Sequence, residues 1–237
     1  MIRTIAVMIY VVLALVLVLP WLILWSMATG DANFMYRLFN DGLLIALWIA
    51  GIHVRVEGAE NIPGGVSIFA SNHASNIDPA ALVPHIPRRV ALLAKKEVFK
   101  IPILSKAIRL AKLIPVDRAD KEAAAESVDL AIKYLREGLS FCVYPEGTRS
   151  RDGRLLPFKR GTFVMAIRAG VPVVPVSLAG TQRLMRKGDW TIHPGEVLVR
   201  FGTPVDAERY SVDQRDELRQ RVQDLVAEGL PEDQKPV

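Results

Sequence analysis

From Ile5 to Trp25 the chain runs for 21 residues without a charge and with no polar side chain beyond Tyr10. Wound as an α-helix at 1.5 Å per residue, such a run is about 30 Å long, the depth of a bilayer's hydrocarbon core. The remainder of the chain must therefore fold beside a membrane or cover this segment. Pro20 is placed to kink the helix near its end, and Trp21 and Trp25 suit the interfacial belt. The rival reading is a secretory signal peptide, but its apolar core is only about 7–15 residues long. Ser26-Met27-Ala28-Thr29-Gly30 is also a poor cleavage site. A retained transmembrane or membrane-embedded helix is the expectation.

A second apolar stretch, Leu43–Ile52, has ten residues, too few to cross a bilayer, and extending it back to Phe34 brings in Arg37 and Asp41. It can be a tilted second span, a re-entrant or interfacial helix, or the first core helix of a soluble domain. No later run approaches the required length. This divides the chain into a membrane anchor over residues 1–52 and a body over residues 53–237.

The 237 residues are 51% hydrophobic and 23% charged, enough apolar content for a proper core and too much for wholesale disorder. One cysteine, Cys142, removes any disulfide framework and any multi-cysteine metal site. Residues 53–205 carry 23 Lys+Arg against 14 Asp+Glu, while residues 206–237 carry five against nine. A basic body beside a membrane anchor favours the anionic cytoplasmic leaflet, which places the body on that side. Nucleic acid, the other common partner of basic domains, is not expected for a tethered chain with few aromatic residues.

Short β-branched runs alternate with longer amphipathic stretches after His53. The predicted strands are Val54–Val56, Val66–Ala70, Val90–Ala94, Leu113–Val116, Ser140–Tyr144, Val171–Ser177 and Val197–Phe201. Predicted helices are Val98–Ala111, Lys121–Glu137, Thr162–Ala169 and Val212–Glu228; in the second, Ala124, Val128, Ala131, Ile132 and Leu135 recur at helical spacing. The pattern predicts an α/β layered domain around a mixed sheet with flanking helices. The tail beyond Leu230 is expected to fray.

Four places carry chemistry. Ser71-Asn72-His73-Ala74-Ser75-Asn76-Ile77-Asp78-Pro79 follows a strand directly, where α/β sheets present reactive groups. If Asp78 lies in a first helical turn, its carboxylate can fold back on His73, fix the tautomer and leave the other ring nitrogen as a base. An N-capping loop with an incidental histidine fits the same spacing. Tyr144-Pro145-Glu146-Gly147-Thr148-Arg149-Ser150 follows another apolar strand and reads as an anion cradle of backbone N–H groups and a guanidinium, or as a tight turn needing Gly147 with Arg149 solvated. Ile114-Pro115-Val116-Asp117-Arg118 is a strand end with a further arginine. Val171–Ser177 is an apolar strand with Pro172 and Pro175, which should be an edge or locally distorted.

In this order and at these separations, the fragments resemble the glycerolipid acyltransferase family, of which the 1-acylglycerol-3-phosphate acyltransferases are members. Asn72, His73 and Asp78 match its N-H-x4-D box, and Ile114–Arg118 its apolar block ending in arginine. Pro145–Ser150 match P-E-G-T-R-S, Phe158 and Gly161 the following F-x-x-G, and Val171–Ser177 the proline-containing block. The resemblance covers roughly residues 50–205. One departure is that Ala111 or Lys112 stands where the family often has glycine ahead of the second-block arginine.

The resemblance implies transfer of a fatty acyl group from an acyl-CoA or acyl carrier protein thioester to the sn-2 hydroxyl of 1-acylglycerol 3-phosphate, giving phosphatidic acid. His73 would take the hydroxyl proton while Asp78 orients it. Arg118, Glu146, Gly147, Thr148 and Arg149 would bind the acceptor's glycerol phosphate. No metal or other cofactor is implied, and oligomeric state is left open. Another lysophospholipid, or glycerol 3-phosphate, is an alternative acceptor. A non-catalytic lipid-phosphate-binding membrane protein is an alternative role. A metal-dependent hydrolase on His73, Asp78 and Glu146 lacks a nearby second histidine, because His53, His85 and His193 lie in separate segments. Cys142, in mid-strand, reads as a buried small hydrophobe rather than an acylated nucleophile.

Overall fold

The computed structural model describes every residue except 102, 103, 118, 119 and 237, and seven strands in it form one sheet. They are β1 Ile52–Glu57, β2 Ile68–Ser71, β3 Val90–Lys95, β4 Ile114–Val116, β5 Ser140–Val143, β6 Val173–Ala179 and β7 Gly195–Phe201, in the spatial order β1-β7-β6-β2-β5-β3-β4. The five neighbours from β4 to β6 all run parallel. β7 returns antiparallel to β6, and β1 lies parallel to β7. The sheet is mixed, as the sequence predicts. The consequence for function is that five carboxyl ends leave the sheet along one edge, where α/β sheets hold their ligands.

Alternation along each strand makes two hydrophobic layers. Ile68 and Ala70 of β2 face one layer, with Ala131, Ile132 and Leu135 of helix Lys121–Arg136, Phe163 and Ala166 of Gly161–Ala169, and Val222 and Val226 of Arg215–Glu228. Phe69 faces the other, with Leu47 and Ala50 of helix Ala32–Ala50 and with Ala81 and Leu82 of the short helix Asp78–Leu82. In chain order the helices are α1 Ile2–Leu13, α2 Leu19–Thr29, α3 Ala32–Ala50, α4 Asp78–Leu82, α5 Leu104–Leu110, α6 Lys121–Arg136, α7 Gly161–Ala169, α8 Thr181–Leu184 and α9 Arg215–Glu228. Fully buried side chains such as Phe69, Phe141 and Phe163 each contribute about 1.5–3 kcal/mol from burial.

At the N-terminus, α1 and α2 join through a π turn at Ala14–Val18 into one helical stretch, Ile2–Thr29, apolar enough to cross a membrane. Pro20 has no N–H to give, and the widened turn just before it accommodates the missing bond. Gly30 ends α2 in the left-handed region with φ 70°, and the Asp31 side chain then accepts from Asn33 N and Phe34 N to start α3. The Tyr10 hydroxyl donates to Gly42 O at 3.1 Å, tying α1 to the middle of α3. Within Leu43–Ile52, Leu47 and Ala50 of α3 pack into the core against the sheet and Ile52 opens β1, while Leu44, Ile45 and Trp48 stay exposed.

Three sequence expectations change, and one departure from the family pattern gains a backbone reason. The predicted helix Val98–Ala111 is broken into a 3-10 turn at Lys96–Lys100 and α5, because Ile101 precedes a proline and is extended, with φ −75° and ψ 117°. The Pro-containing strand is interior, between β7 and β2, so the edge alternative fails and the distorted one holds. Val173 pairs with Val205 and Val176 with Phe201, so three steps along β6 face four on the returning segment, and this bulge surrounds Pro175. The tail does not fray: Gln234 is 1% exposed and its backbone oxygen accepts from Leu155 N at 2.9 Å. Its side chain accepts from Gly180 N and donates to Gly153 O and Gln182 Oε1, satisfying groups that burial would otherwise strand. Finally, Lys112 has φ 57°, the one residue other than glycine in the left-handed region among the described residues. It sits at the position where the resemblance leads one to expect glycine.

Candidate active site

β2 and β5 are adjacent and parallel, with Ala70 opposite Val143. Their following loops, Asn72–Asp78 and Tyr144–Ser150, therefore leave the sheet side by side. Asn72 secures the first loop like an extra strand residue: its amide donates to Leu178 O at 2.9 Å and accepts from Leu178 N at 2.8 Å. Ser150 N donates to His73 O at 2.8 Å and joins the two loops.

Asp78 is the first residue of α4 and fully buried. Its Oδ2 accepts from Ala74 N and Ser75 N, both at 2.8 Å, and from His73 Nδ1 at 2.6 Å. A carboxylate carrying three donors on one oxygen holds the imidazole with its Nδ1 proton toward the acid. His73 Nε2 is left without a protein partner among the described residues, in a side chain 16% exposed. The Tyr144 ring lies on the imidazole with centroids 4.2 Å apart and planes 22° apart, fixing the second rotational freedom. The strand-to-loop junction at Tyr144 was visible in sequence, but which side chain would face His73 depended on pairing β2 with β5.

Glu146 is buried beneath the same loop, and its Oε1 accepts from His73 N at 2.8 Å. Burial pushes its carboxyl up to about 8, against the pull of that amide. Its other oxygen is buried with no well-aligned hydrogen bond among the described residues. Gly147 adopts φ 70°, and a side chain there would meet Lys159, 2.8 Å from its Nζ. Thr148 is exposed and Arg149 half-buried. Lys187, from the segment after α8, donates to Arg149 O at 2.6 Å and to Thr148 Oγ1 at 3.1 Å. Sequence reasoning missed this cation, because it lies 39 residues from Thr148 and arrives only because β6 ends on the same edge. Arg118 lies outside the described residues. Asp117, just before it, pairs with Lys96 at the ends of β4 and β3.

Cys142 is fully buried in β5, and burial pushes its thiol up to about 12, which leaves no thiolate for nucleophilic chemistry near neutral pH. Among the described residues no group of three His, Cys, Asp or Glu side chains could hold a metal ion.

The arrangement is an oriented base at a sheet edge beside a loop of hydroxyl, guanidinium and ammonium groups. The sequence profile of the family described as Acyltransferase matches residues 53–179, a span containing every residue of this site except Lys187. A curated 1-acyl-sn-glycerol-3-phosphate acyltransferase of Limnanthes douglasii is 37% identical over 226 residues, covering 95% of this chain and 78% of that one. The protein of the same name from Borreliella burgdorferi is 31% identical over 187 residues, 78% of this chain and 75% of that one. Among solved structures, the 1-acyl-sn-glycerophosphate (LPA) acyltransferase PlsC of Thermotoga maritima matches with a TM-score of 0.83 and 32% identity, over 96% of this chain and 93% of that one. Loop motifs, strand order and relatives agree, and the chain belongs to the acyltransferase family.

Proposed function

We propose that this protein is a membrane-bound 1-acylglycerol-3-phosphate acyltransferase that forms phosphatidic acid. The observation that carries the reading is the Asp78–His73 pair, buried at the acid and open at the base, beside the loop on which the Lys187 ammonium meets Thr148 and Arg149. His73 Nε2 takes the proton of the acceptor's sn-2 hydroxyl as that oxygen attacks the thioester carbonyl. Asp78 stabilises the imidazolium through Nδ1. Collapse of the tetrahedral intermediate breaks the carbon–sulfur bond, and the imidazolium returns its proton to the departing thiolate. Thr148, Arg149 and Lys187 take the acceptor phosphate, with Arg118 as a further cation. Glu146 holds the His73 backbone, and Gly147 gives the loop its left-handed turn. The donor is a fatty acyl thioester of coenzyme A or of acyl carrier protein.

The anchor reading takes its shape from the helices. The first turn of α1 touches the α/β body, where Thr4 Oγ1 accepts from Ile192 N at 3.0 Å and Arg3 donates to Ala50 O. α3 then follows the body along its length, from Tyr36, whose hydroxyl meets Arg88 O and Val90 N, to Ala50. The stretch Ile2–Thr29 is long and apolar enough to cross a membrane, and these contacts along the body favour the membrane-embedded arrangement over the spanning one. The exposed apolar flank of this hairpin, with Ile5, Ile9, Val12 and Val16 among the residues, seats in one leaflet. The basic content of the body supports an orientation toward the anionic cytoplasmic leaflet.

The test is acyl transfer by purified, detergent-solubilised protein with labelled acyl-CoA, or labelled acyl carrier protein thioester, and lysophosphatidate. His73→Ala is expected to lower phosphatidate formation by about 10²–10⁴ with folding intact. Equal rates with alanine at 73 would overturn the base assignment. No transfer from either donor would overturn the activity itself.

A further inference from the structure

The segment after α8, Met185–Pro194, is not used by the chemistry except through Lys187, yet it presents Trp190 with 71% of its surface exposed. The loop is built rather than loose: Asp189 Oδ1 accepts from Thr191 N, and His193 N donates to Leu184 O at 2.9 Å. It is also tied to the anchor, because Ile192 N meets Thr4 and Pro194 lies with Arg3 around Gly51. Beside it on the anchor stand Met1, Ile2 and Trp48, each more than three-quarters exposed. Trp190 thus adds an exposed apolar side chain on the loop that meets the first turn of α1.

Charge is set next to this apolar ledge. Arg151 and Arg186 line one surface cleft with Asp152 and Asp233, and Arg186 lines a second with Asp189 and His193. Arg183 is paired with Asp233, and Lys187 is occupied by Thr148 and Arg149. Among the described residues, Arg151 and Arg186 have no acidic partner within ion-pair distance. An exposed indole beside unpaired guanidinium groups is the composition of a headgroup-level contact, with the ring at the interface and the cations on lipid phosphate.

We propose that the 185–194 loop is a second membrane contact, in which Trp190 enters the interface and Arg151 and Arg186 hold anionic headgroups. It rests on the leaflet-seated hairpin. Lys187 lies three residues before Trp190, so the contact brings the phosphate end of the acceptor site to headgroup depth. A lysophospholipid could then present its hydroxyl to His73 while its chain stays among other chains.

The experiment uses the full-length protein with Trp190→Cys carrying a nitroxide, since buried Cys142 is shielded from labelling. Vesicles are phosphatidylcholine alone or mixed with phosphatidylglycerol. On mixed vesicles the label should gain collisional access to oxygen and lose access to a water-soluble nickel chelate. The unlabelled double variant Arg151→Gln, Arg186→Gln should bind mixed vesicles about twentyfold more weakly than the parent, with binding to phosphatidylcholine unchanged and the difference erased by high salt. A label that stays in water while the protein is bound overturns the loop contact and leaves the hairpin reading standing. Equal vesicle binding by the double variant and the parent overturns the headgroup role. A protein that binds neither vesicle overturns both.

Discussion

Glu146 carries the clearest pH signature of any single residue. Its carboxyl titrates about 8 in the folded protein because it is buried, against an ordinary 4.5. Between those values the folded state keeps a proton that the unfolded state has lost, so stability falls as pH rises through the window and levels off above about 8. Glu146→Gln removes the titration and can still accept from His73 N. Its thermal unfolding midpoint should therefore gain on the parent's from about pH 5 to about pH 9, and parallel curves would count against the buried acid. Lys187 gives a second test at this scale. Lys187→Met should raise KM for lysophosphatidate about tenfold or more while leaving a neutral monoacylglycerol acceptor unaffected, because a charge-assisted bond to phosphate is lost. A similar loss on both acceptors would reduce Lys187 to a brace for Arg149. The His73–Asp78 contact was one of two readings of the five-residue spacing, an N-capping loop being the other, and the family resemblance favoured it. Lys187, and the partners of Tyr144 and Asn72, were not legible in sequence, because they are set by which strands lie side by side.

The hairpin of α1, α2 and α3 shows how an element's role depends on what it packs against. The apolar run of the first helix was plain from sequence, and its length allowed a crossing. What a one-dimensional pattern lacked was the return of α3 along the body and the contact of the first turn with Ile192. Replacing Ile9, Val12 and Val16 with glutamate alters only exposed positions. The expected result is loss of vesicle binding measured by co-sedimentation, with transfer to a short-chain soluble acceptor retained. Loss of both activities together would mean that the flank packs on the protein rather than on lipid. The interior place of β6 was hidden for a related reason: Pro175 forbids a ladder donor, but a bulge on the neighbouring segment lets the strand remain central. Likewise, Ile101 breaks a helix that periodicity alone would have continued.

Across the whole molecule, the alternation of strands and helices was enough to predict a mixed α/β sheet, since βα repeats leave few other layers. Strand order was not, and it is strand order that gathers residues 73, 78, 146, 149 and 187 on one edge. The C-terminus joins that edge as well, through Gln234. Gln234→Ala would leave the buried Gly153 O and the part-buried Gly180 N without the amide, at a cost of about 1–3 kcal/mol. A lower urea midpoint is expected, and an unchanged one would show that water replaces the amide. The same latch bears on how preparations of this protein age. A nick that removes residues 231–237 would leave the sheet and anchor untouched, yet free the segment after Ser150 from its Gln234 contacts. The nicked fraction would keep its apolar hairpin and its sheet, so a fall in specific activity would trace to the loosened loop rather than to damage at His73.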